Sequence, residues 1–237
     1  MVKQTIRRLL GVPKALRAKQ SLVSLADGDY ITKNVPYECQ FASPELTKDI
    51  LEQTIDAQSD SNWRIFGFET VEDTACWVPR LCGVCCVKMA VDHHGAATTV
   101  AGLTNEGVNL GGYDIDRDIG WFYAPLLQLA ETHGLDGAVQ PHLSIYEVAK
   151  LVSSDEFVIA SVNPEIIRGD KPVRSQKKSG HLVLVIGVRI SNHTIVGFYI
   201  HNPSGKTPDM QRNAFIPLNI FVQAYGERGI VLWKSDE

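Results

Sequence analysis

The chain has 237 residues, of which 44% are hydrophobic and 21% are charged, and its formal net charge at pH 7 is −4. These values are typical of a soluble globular protein that is long enough for a packed core. Because the chain is acidic and has no basic stripe interleaved with aromatic residues, we expect no nucleic-acid partner. No apolar run is long enough to span a membrane, and the N-terminus lacks the apolar core of a secretion signal.

The cysteines indicate the compartment. An odd number of cysteines, with three of them bunched on one predicted helix, is a poor framework for disulfides. We therefore predict a reducing compartment, the cytoplasm. The five are Cys39, Cys76, Cys82, Cys85 and Cys86.

The first 34 residues are predicted to form a basic arm, followed by one domain over residues 35–237. Six Lys and Arg side chains lie between Met1 and Lys19. Such an arm could bind weakly to an anionic membrane surface or partner, but we favour a frayed or docked terminus. The apolar residues that could line one side of a short helix here are Ile6, Leu9, Leu10 and Leu16.

Short elements and loops are predicted between the arm and the first long helix. Ser43 followed by Pro44 is a good helix start, because a cap precedes a proline at the first helical position. A polar loop is expected over residues 56–62, and an irregular, aromatic-rich segment over residues 63–77. Four tryptophans, which we expect to be core residues, are Trp63, Trp77, Trp121 and Trp233.

A cysteine at a sharp turn opens the next predicted helix, which runs from Cys82 to His94 and stops at Gly95. The unpaired backbone N–H groups and the dipole at a helix N-terminus favour a thiolate. Thiolate is the form that attacks a carbonyl carbon. Cys82 is therefore the candidate nucleophile.

The middle of the chain is predicted to be loops followed by two helices. The Gly-rich, polar composition from Gly95 to Asp118 suggests little regular structure. A helical pattern over residues 121–133 is closed by Gly134. A capping box formed by Ser144 and Glu147 opens a helix that ends near residue 152.

Strands dominate the last third of the chain. Buried strands are predicted over residues 157–162, 181–188 and 194–201, and a last strand over 229–233. A charged loop is expected over residues 165–180, and a short helix over 217–225. Because helices come first and strands come late, we predict an α+β fold with an antiparallel sheet.

A hairpin between the second and third strands brings a base to a side-chain amide. If Ser191 and Asn192 form its loop, Ile190 faces His193, and His181 then faces Asn202. Directly opposed residues project from the same face of a sheet with Cβ atoms about 5 Å apart. His201 should point to the other face.

Cysteine, histidine and asparagine together form a known nucleophilic set. We predict that the Cys82 thiol ionises against His181, while the amide carbonyl of Asn202 fixes the imidazole tautomer. The backbone N–H of Cys82 would stabilise an oxyanion, and the side-chain amide of Gln40 is the candidate second donor.

Other readings of these residues stay open. Cys82 could be a plain buried thiol, and Cys85 and Cys86 are expected to be helix core. Cys82 and Cys85 have a zinc-like spacing, yet no second pair matches it, so we predict neither a metal nor another cofactor. The Ser204–Gly205 pair is expected to be only a turn, and His93 and His94 to be structural or surface residues.

Three segments resemble the C39 and C39-like peptidases of the papain-like superfamily, which include bacteriocin-processing proteases. Residues 82–89 are similar to the family's Cys-Gly-x-Ala-Cys-x-x-Met signature. Residues 180–187 resemble its Gly-His segment, and residues 201–205 its Asp-Pro-x-Gly segment. Val35-Pro36-Tyr37 and Gln40 resemble the opening of C39-like domains. The resemblance implies a papain-like fold with Cys82 as nucleophile, His181 as base and Asn202 as orienter.

The chain departs from the family pattern in a few places. Asn202 stands where the family usually has Asp, and Leu81 precedes the nucleophile where the bacteriocin-processing members have Asp. The oxyanion Gln usually lies shortly before the Cys, where this chain has Cys76 and no Gln. No membrane span and no phosphate-loop glycine pattern occur here, so the resemblance implies a stand-alone bacterial peptidase rather than a transporter-linked one.

We therefore expect a cysteine peptidase that hydrolyses an amide bond in a peptide or protein substrate through an acyl-enzyme, in peptide maturation by resemblance. The alternatives are acyl or amide transfer to an amine by the same three residues, and a non-catalytic peptide-binding module of the same fold. The sequence gives no prediction of oligomeric state.

Overall fold

The computed structural model describes residues 14–168 and 172–235. Helices fill most of the first half of this part of the chain, and an antiparallel sheet fills the second half. The predicted α+β fold is confirmed. The helices are α1 (residues 14–23), α2 (Thr47–Leu51), α3 (Val71–Trp77), α4 (Cys82–His93), α5 (Val100–Asn109), α6 (Tyr123–Thr132), α7 (Ile145–Val152) and α8 (Leu218–Ala224).

One sheet contains all seven strands found in the described residues. Its order is β2-β7-β3-β4-β5-β6, with β1 also paired to β4, and every neighbouring pair is antiparallel. The strands are β1 (Gly28–Ile31), β2 (Leu135–Gln140), β3 (Phe157–Val162), β4 (His181–Ser191), β5 (Thr194–His201), β6 (Ala214–Pro217) and β7 (Tyr225–Lys234).

The sheet separates two hydrophobic layers. Along β4, Leu182, Leu184 and Ile186 pack with α4 and its neighbours, whereas Val183 and Val185 pack on the opposite side with α7 and α8. This alternation follows from the two-residue period of a strand. Because β4 is covered on both faces, its sequence is a nearly continuous apolar run.

Helix α5 lies in a segment that the sequence predicted to be loops. The prediction was wrong because α5 contains Gly102 and Gly107, which lower helix propensity. The helix is stabilised by packing instead: a Cβ on Gly107 would lie 2.8 Å from the Trp121 ring. The Thr99 side chain caps its N-terminus by accepting from the Gly102 backbone N–H. Tertiary packing commonly outweighs propensity in this way.

Other short elements were also missed. Helix α3 occupies part of the segment predicted to be irregular, and Thr70 caps it by accepting from the Asp73 backbone N–H. Ser43 is the N-cap of a 3-10 turn with Pro44 at its start, as predicted, but its hydroxyl donates to Asp60 Oδ1 and does not cap the turn. In contrast, the capping box of Ser144 and Glu147 is present at α7.

Strand β1 lies within the 34 residues predicted to be an arm. It pairs with β4, with Tyr30 opposite Val188, so this part of the chain contributes to the sheet. Of the apolar positions predicted to line a helix in the arm, Leu16 is on α1 and exposed. The others, Ile6, Leu9 and Leu10, lie outside the described residues.

Within the described residues, no single helix has the length and apolar character needed to cross a membrane. The segments Val71–Arg80 and Cys82–His93 meet that requirement only when taken together, and they are bent by 89°.

The N-terminal end of α4 fits closely between neighbouring elements, and Gly83 makes this fit possible. A Cβ on this residue would lie 3.0 Å from Leu126, 3.1 Å from Leu182 and 3.3 Å from Trp121. Gly83 is the second residue of α4, so close packing rather than a sharp turn explains the glycine after Cys82.

We expect Gly83→Ala to lower the free energy of unfolding by about 1–3 kcal/mol, because the added methyl group overpacks a dense site. Urea unfolding followed by circular dichroism measures this change. An unaltered midpoint would show that α4 can move away from Leu126 and Leu182 without cost, contrary to the close packing described above.

Candidate active site

Cys82 is the first residue of α4, and its side chain is partly exposed at the floor of a cleft. The backbone N–H groups of Leu182, Gly83 and Cys82 itself lie near its sulfur and act to lower the pKa of the thiol. The thiol therefore lies against the strand residue that follows His181. Cys85 and Cys86 are fully buried, which confirms that they are helix core.

The hairpin of β4 and β5 has a different register from the predicted one. Asn192 and His193, both in the left-handed region with φ of 49° and 57°, form its two-residue loop, and Ser191 pairs with Thr194. Leu184 pairs with His201 near the other end. The predicted pairing of His181 directly opposite Asn202 is therefore wrong by two residues.

The error leaves the two side chains within reach of each other. A shift of two residues keeps them on the same face, because the side-chain period of a strand is two. They become diagonal neighbours, which long side chains can still bridge. His181 Nε2 lies 2.9 Å from Asn202 Oδ1, and both residues are buried.

The hydrogen bonds around Asn202 fix the imidazole tautomer. Asn202 Oδ1 also accepts from the Ser204 backbone N–H at 3.2 Å, so this atom is the oxygen of the amide. His181 Nε2 must therefore donate to it, and in the neutral ring Nδ1 then carries the lone pair. Nδ1 is the ring nitrogen that remains for a proton from Cys82.

Ser204 is a site residue that the sequence reasoning missed. It was expected to be only part of a turn, yet its hydroxyl lies 3.1 Å from His181 Nε2 and is buried. The observed hairpin register, continued past the end of β5, places position 204 opposite position 181. A correct register would therefore have found it.

Burial determines the protonation of Cys82 and His181. Desolvation raises the pKa of the Cys82 thiol, and the backbone N–H groups near its sulfur reverse only part of this effect. Desolvation also lowers the pKa of His181 to about 4, although the hydrogen bond to Asn202 opposes the shift. Both shifts favour a neutral thiol and a neutral imidazole in the free protein at neutral pH. This differs from the thiolate expected at a helix N-terminus.

Gln40 connects the segment before Cys82 with the segment after Asn202. Its Nε2 donates to the Val78 carbonyl at 3.1 Å, and its backbone N–H donates to the Pro203 carbonyl at 2.9 Å. The side chain is buried, and its Oε1 has no hydrogen-bond partner among the described residues. One N–H of the amide remains beyond the bond to Val78.

His201 faces away from the cleft, as predicted. Its Nε2 lies 3.2 Å from the Val35 carbonyl, and its Nδ1 accepts from the Asn213 backbone N–H at 3.1 Å. Burial lowers its pKa to about 4. In the described part of the chain, no group of three or more His, Cys, Asp or Glu residues could hold a metal ion.

The cleft has a volume of about 980 Å³ and two different walls. The helical half supplies Tyr113 and the loop that ends at Tyr123. Arg80 holds this loop through a bidentate ion pair with Asp118, in which both N–O distances are 2.9 Å. Trp121 lines this wall and donates its indole N–H to the Arg80 carbonyl. The sheet half supplies Ser161, Lys177, Ser179, Gly180, Leu182 and Arg228.

Comparison with protein families gives one match that covers most of the chain. The model of the Peptidase_C39 like family matches residues 32–231. No curated protein matches the chain.

Several solved structures are similar to this one. A Bacillus anthracis protein described as a C39-like peptidase has a TM-score of 0.53 and 18% identity, over 89% of this chain and 100% of that one. The peptidase domain of Streptococcus ComA, an ABC transporter involved in quorum sensing, has a TM-score of 0.46 and 14% identity, over 66% and 93%. A double glycine motif protease from an AMS/PCAT transporter, in complex with the leader peptide, has a TM-score of 0.42 and 15% identity, over 65% and 84%.

The neutral pair predicts the pH dependence of alkylation at Cys82. Because the thiolate is the reactive form and burial raises the pKa of this thiol, the rate with iodoacetamide should still be rising above pH 9. Mass spectrometry of the peptide containing Cys82 measures the rate, and exposed Cys76 serves as an internal reference. A plateau well below the ordinary thiol pKa of about 8.5 would instead indicate a thiolate–imidazolium pair in the free protein.

Ser204 is expected to help position the His181 ring. In Ser204→Ala, Nε2 keeps its bond to Asn202 but loses the hydroxyl, so the ring can rotate more freely. We expect kcat for a cleaved substrate to fall about three- to tenfold with little change in KM, since an orienting bond of about 1 kcal/mol is lost. Ser204→Thr, which keeps the hydroxyl, should retain more activity than the alanine variant. Equal losses in both variants would argue against the positioning role.

Proposed function

The chain belongs to the Peptidase_C39 like family, and from this premise we propose that it is a cysteine peptidase with Cys82, His181 and Asn202 as its catalytic residues. The observation that carries the proposal is the bond of 2.9 Å between His181 and Asn202 in the cleft that Cys82 also lines. A nucleophile, a base and an orienting amide are thereby assembled from a helix, a strand start and the loop that follows β5.

The first step that we propose is attack on the peptide carbonyl. His181 is neutral at pH 7 because burial lowers its pKa to about 4, so Nδ1 can accept a proton. The proton passes from Cys82 Sγ to Nδ1 as sulfur bonds to the carbonyl carbon. Asn202 Oδ1 stabilises the resulting imidazolium through its bond with Nε2.

The developing oxyanion needs hydrogen-bond donors. The backbone N–H of Cys82 belongs to the first turn of α4, where N–H groups have no intrahelical partner. We propose that the second N–H of Gln40 Nε2 is the other donor, because the bond to the Val78 carbonyl holds this amide near the segment that leads into α4.

The reaction is completed in three further proton transfers. The imidazolium returns its proton to the leaving amine, and a thioester between Cys82 and the acyl part of the substrate remains. His181 then takes a proton from a water molecule as the water oxygen attacks the thioester carbonyl. The C–S bond breaks to release the acid, and the imidazolium returns its proton to the Cys82 sulfur, which regenerates the free thiol. All five cysteines are free, which suits the reducing, cytoplasmic compartment that we propose.

Variants of the three residues test this function with a panel of peptides that includes some with a Gly-Gly pair before the scissile bond. We expect Cys82→Ala to abolish cleavage and His181→Ala to lower kcat/KM by about a thousandfold or more. Liquid chromatography with mass spectrometry identifies the products. If Cys82→Ala binds the same peptides as the wild-type protein and neither cleaves them, the chain is a peptide-binding module and the proposal fails.

Asn202→Asp is an informative partner variant, because the family usually has Asp at this position. A carboxylate beside His181 favours the imidazolium and raises its pKa, whereas the neutral amide does not. We expect Asn202→Asp to retain activity and to move the acid limb of the kcat/KM profile to higher pH. Asn202→Ala should instead lower kcat about ten- to a hundredfold, since the tautomer is no longer fixed.

A further inference from the structure

The sheet wall of the cleft contains an irregularity in the pairing of β3 with β7. Ala160 pairs with Gly229 and Val162 with Tyr225, so Ser161 alone faces the three residues 226–228. This is a β-bulge, a feature that redirects side chains and commonly lies beside functional sites. Glu227, at its centre, has a φ of 54°. The bulge directs Arg228 into the cleft.

The bulge is firmly held. A Cβ on Gly226 would lie 2.4 Å from the Lys178 carbonyl oxygen, so the segment before His181 packs directly on the bulge. Lys178 Nζ also donates to the Val222 carbonyl at 3.0 Å. The Glu227 carbonyl accepts from the Leu143 backbone N–H at 2.8 Å. These contacts fix the backbone just before Arg228, and the pairing of Gly229 with Ala160 fixes it just after.

Arg228 is placed close to the catalytic residues. Ser161, which faces the bulge, pairs with Leu182 on β4. Arg228 is therefore two strand spacings, about 10 Å, from the strand that begins with His181. Its Nε is directed across the cleft to Tyr123 Oη at 3.4 Å, at the N-terminus of α6.

The charges that line the cleft do not cancel. Arg80 is neutralised by Asp118, and His181 is uncharged at pH 7. Lys177 and Arg228 remain, and within residues 14–168 and 172–235 neither has a carboxylate at salt-bridge distance. The acidic neighbour Glu227 is exposed and does not line the cleft. A cleft with two unneutralised cations is unusual on a chain of net charge −4.

We propose, building on the proposed function, that Arg228 is a specificity-determining residue that binds a carboxylate of the substrate, with Lys177 adding charge at the rim. The cleft then selects peptides that carry an acidic side chain or a free C-terminal carboxylate near the scissile bond. Its positive potential attracts such peptides and disfavours cationic ones.

A pair of small reagents tests the potential at Cys82 without requiring catalysis. Iodoacetate and iodoacetamide alkylate the same thiol but differ in charge. We expect the ratio of the iodoacetate rate to the iodoacetamide rate at Cys82 to fall about threefold or more in Arg228→Gln, because a cation that lines the same cleft is removed. The ratio in the wild-type protein should also fall as salt is added.

Two variants control for general effects. Arg64→Gln changes the net charge equally, but Arg64 is exposed and does not line the cleft, so the ratio should keep its wild-type value. Arg228→Lys keeps the charge and should retain most of the preference for iodoacetate. An unchanged ratio in Arg228→Gln, with the protein folded by circular dichroism, would overturn the proposal.

Peptide pools identify the source of the carboxylate. Three pools of N-acetylated hexapeptides compete with iodoacetamide for Cys82: one with Glu at a fixed position and an amidated C-terminus, one with Gln and an amide, and one with Gln and a free C-terminus. We expect the Glu pool or the free-acid pool to protect Cys82 at about tenfold lower concentration than the Gln amide pool. That advantage should disappear in Arg228→Gln. Equal protection by all three pools would contradict carboxylate recognition.

The same pools separate this inference from the proposed function. Suppose that the Glu pool or the free-acid pool protects Cys82 in an Arg228-dependent way and is not cleaved. The carboxylate site then stands and the peptidase proposal fails. If the Gln amide pool is cleaved as fast as the others, the peptidase proposal stands and the inference fails.

Discussion

The packing of α4 against β4 is the contact on which the site depends. Gly83 leaves no gap between the helix and Leu182, and the Leu182 backbone N–H lies near enough to the Cys82 sulfur to affect the pKa of the thiol. The first residue of the helix thereby lies beside the first residues of the strand. The proposed nucleophile and base, Cys82 and His181, come from different halves of the chain, and this single contact sets their separation. The dense packing of protein interiors makes such a contact sensitive to a single methyl group.

The amide of Asn202 is held at a cost. It is fully buried, and its Nδ2 has no partner among the described residues. Burying an unpaired polar group of this kind lowers the free energy of unfolding by about 1–3 kcal/mol. Its oxygen accepts from both His181 and Ser204, and its backbone carbonyl accepts from Tyr37 at 2.9 Å. The arrangement favours one orientation of the amide, and through it one tautomer of His181. Burial favours the uncharged forms of both Cys82 and His181.

The two walls of the cleft have separate origins. The helical wall depends on the ion pair of Arg80 with Asp118 and on the indole of Trp121, which all lie in or next to segments predicted as irregular. The sheet wall depends on a bulge in β7 that places Arg228 beside Ser161. Because the two walls have different chemistry and lie apart from the three proposed catalytic residues, the preference of the cleft for its ligands can change without altering those residues.

The sequence by itself determined the elements that local patterns specify: the helix that starts at Cys82, the capping box at Ser144, and the apolar strands β3, β4 and β5.

Only the tertiary structure decided the remaining features, for three physical reasons. Helix α5 and strands β1, β2 and β6 are stabilised by packing and pairing with residues that are distant in the sequence. Local propensity carries no information about these contacts. The register of β4 with β5 depends on the turn at Asn192 and His193 and on irregularities in the pairing, so the contact of Ser204 with His181 could not be read from spacing. The pKa of the Cys82 thiol depends on how far the folded chain removes the sulfur from water. In this fold the rise in pKa caused by desolvation is larger than the lowering by the nearby backbone N–H groups.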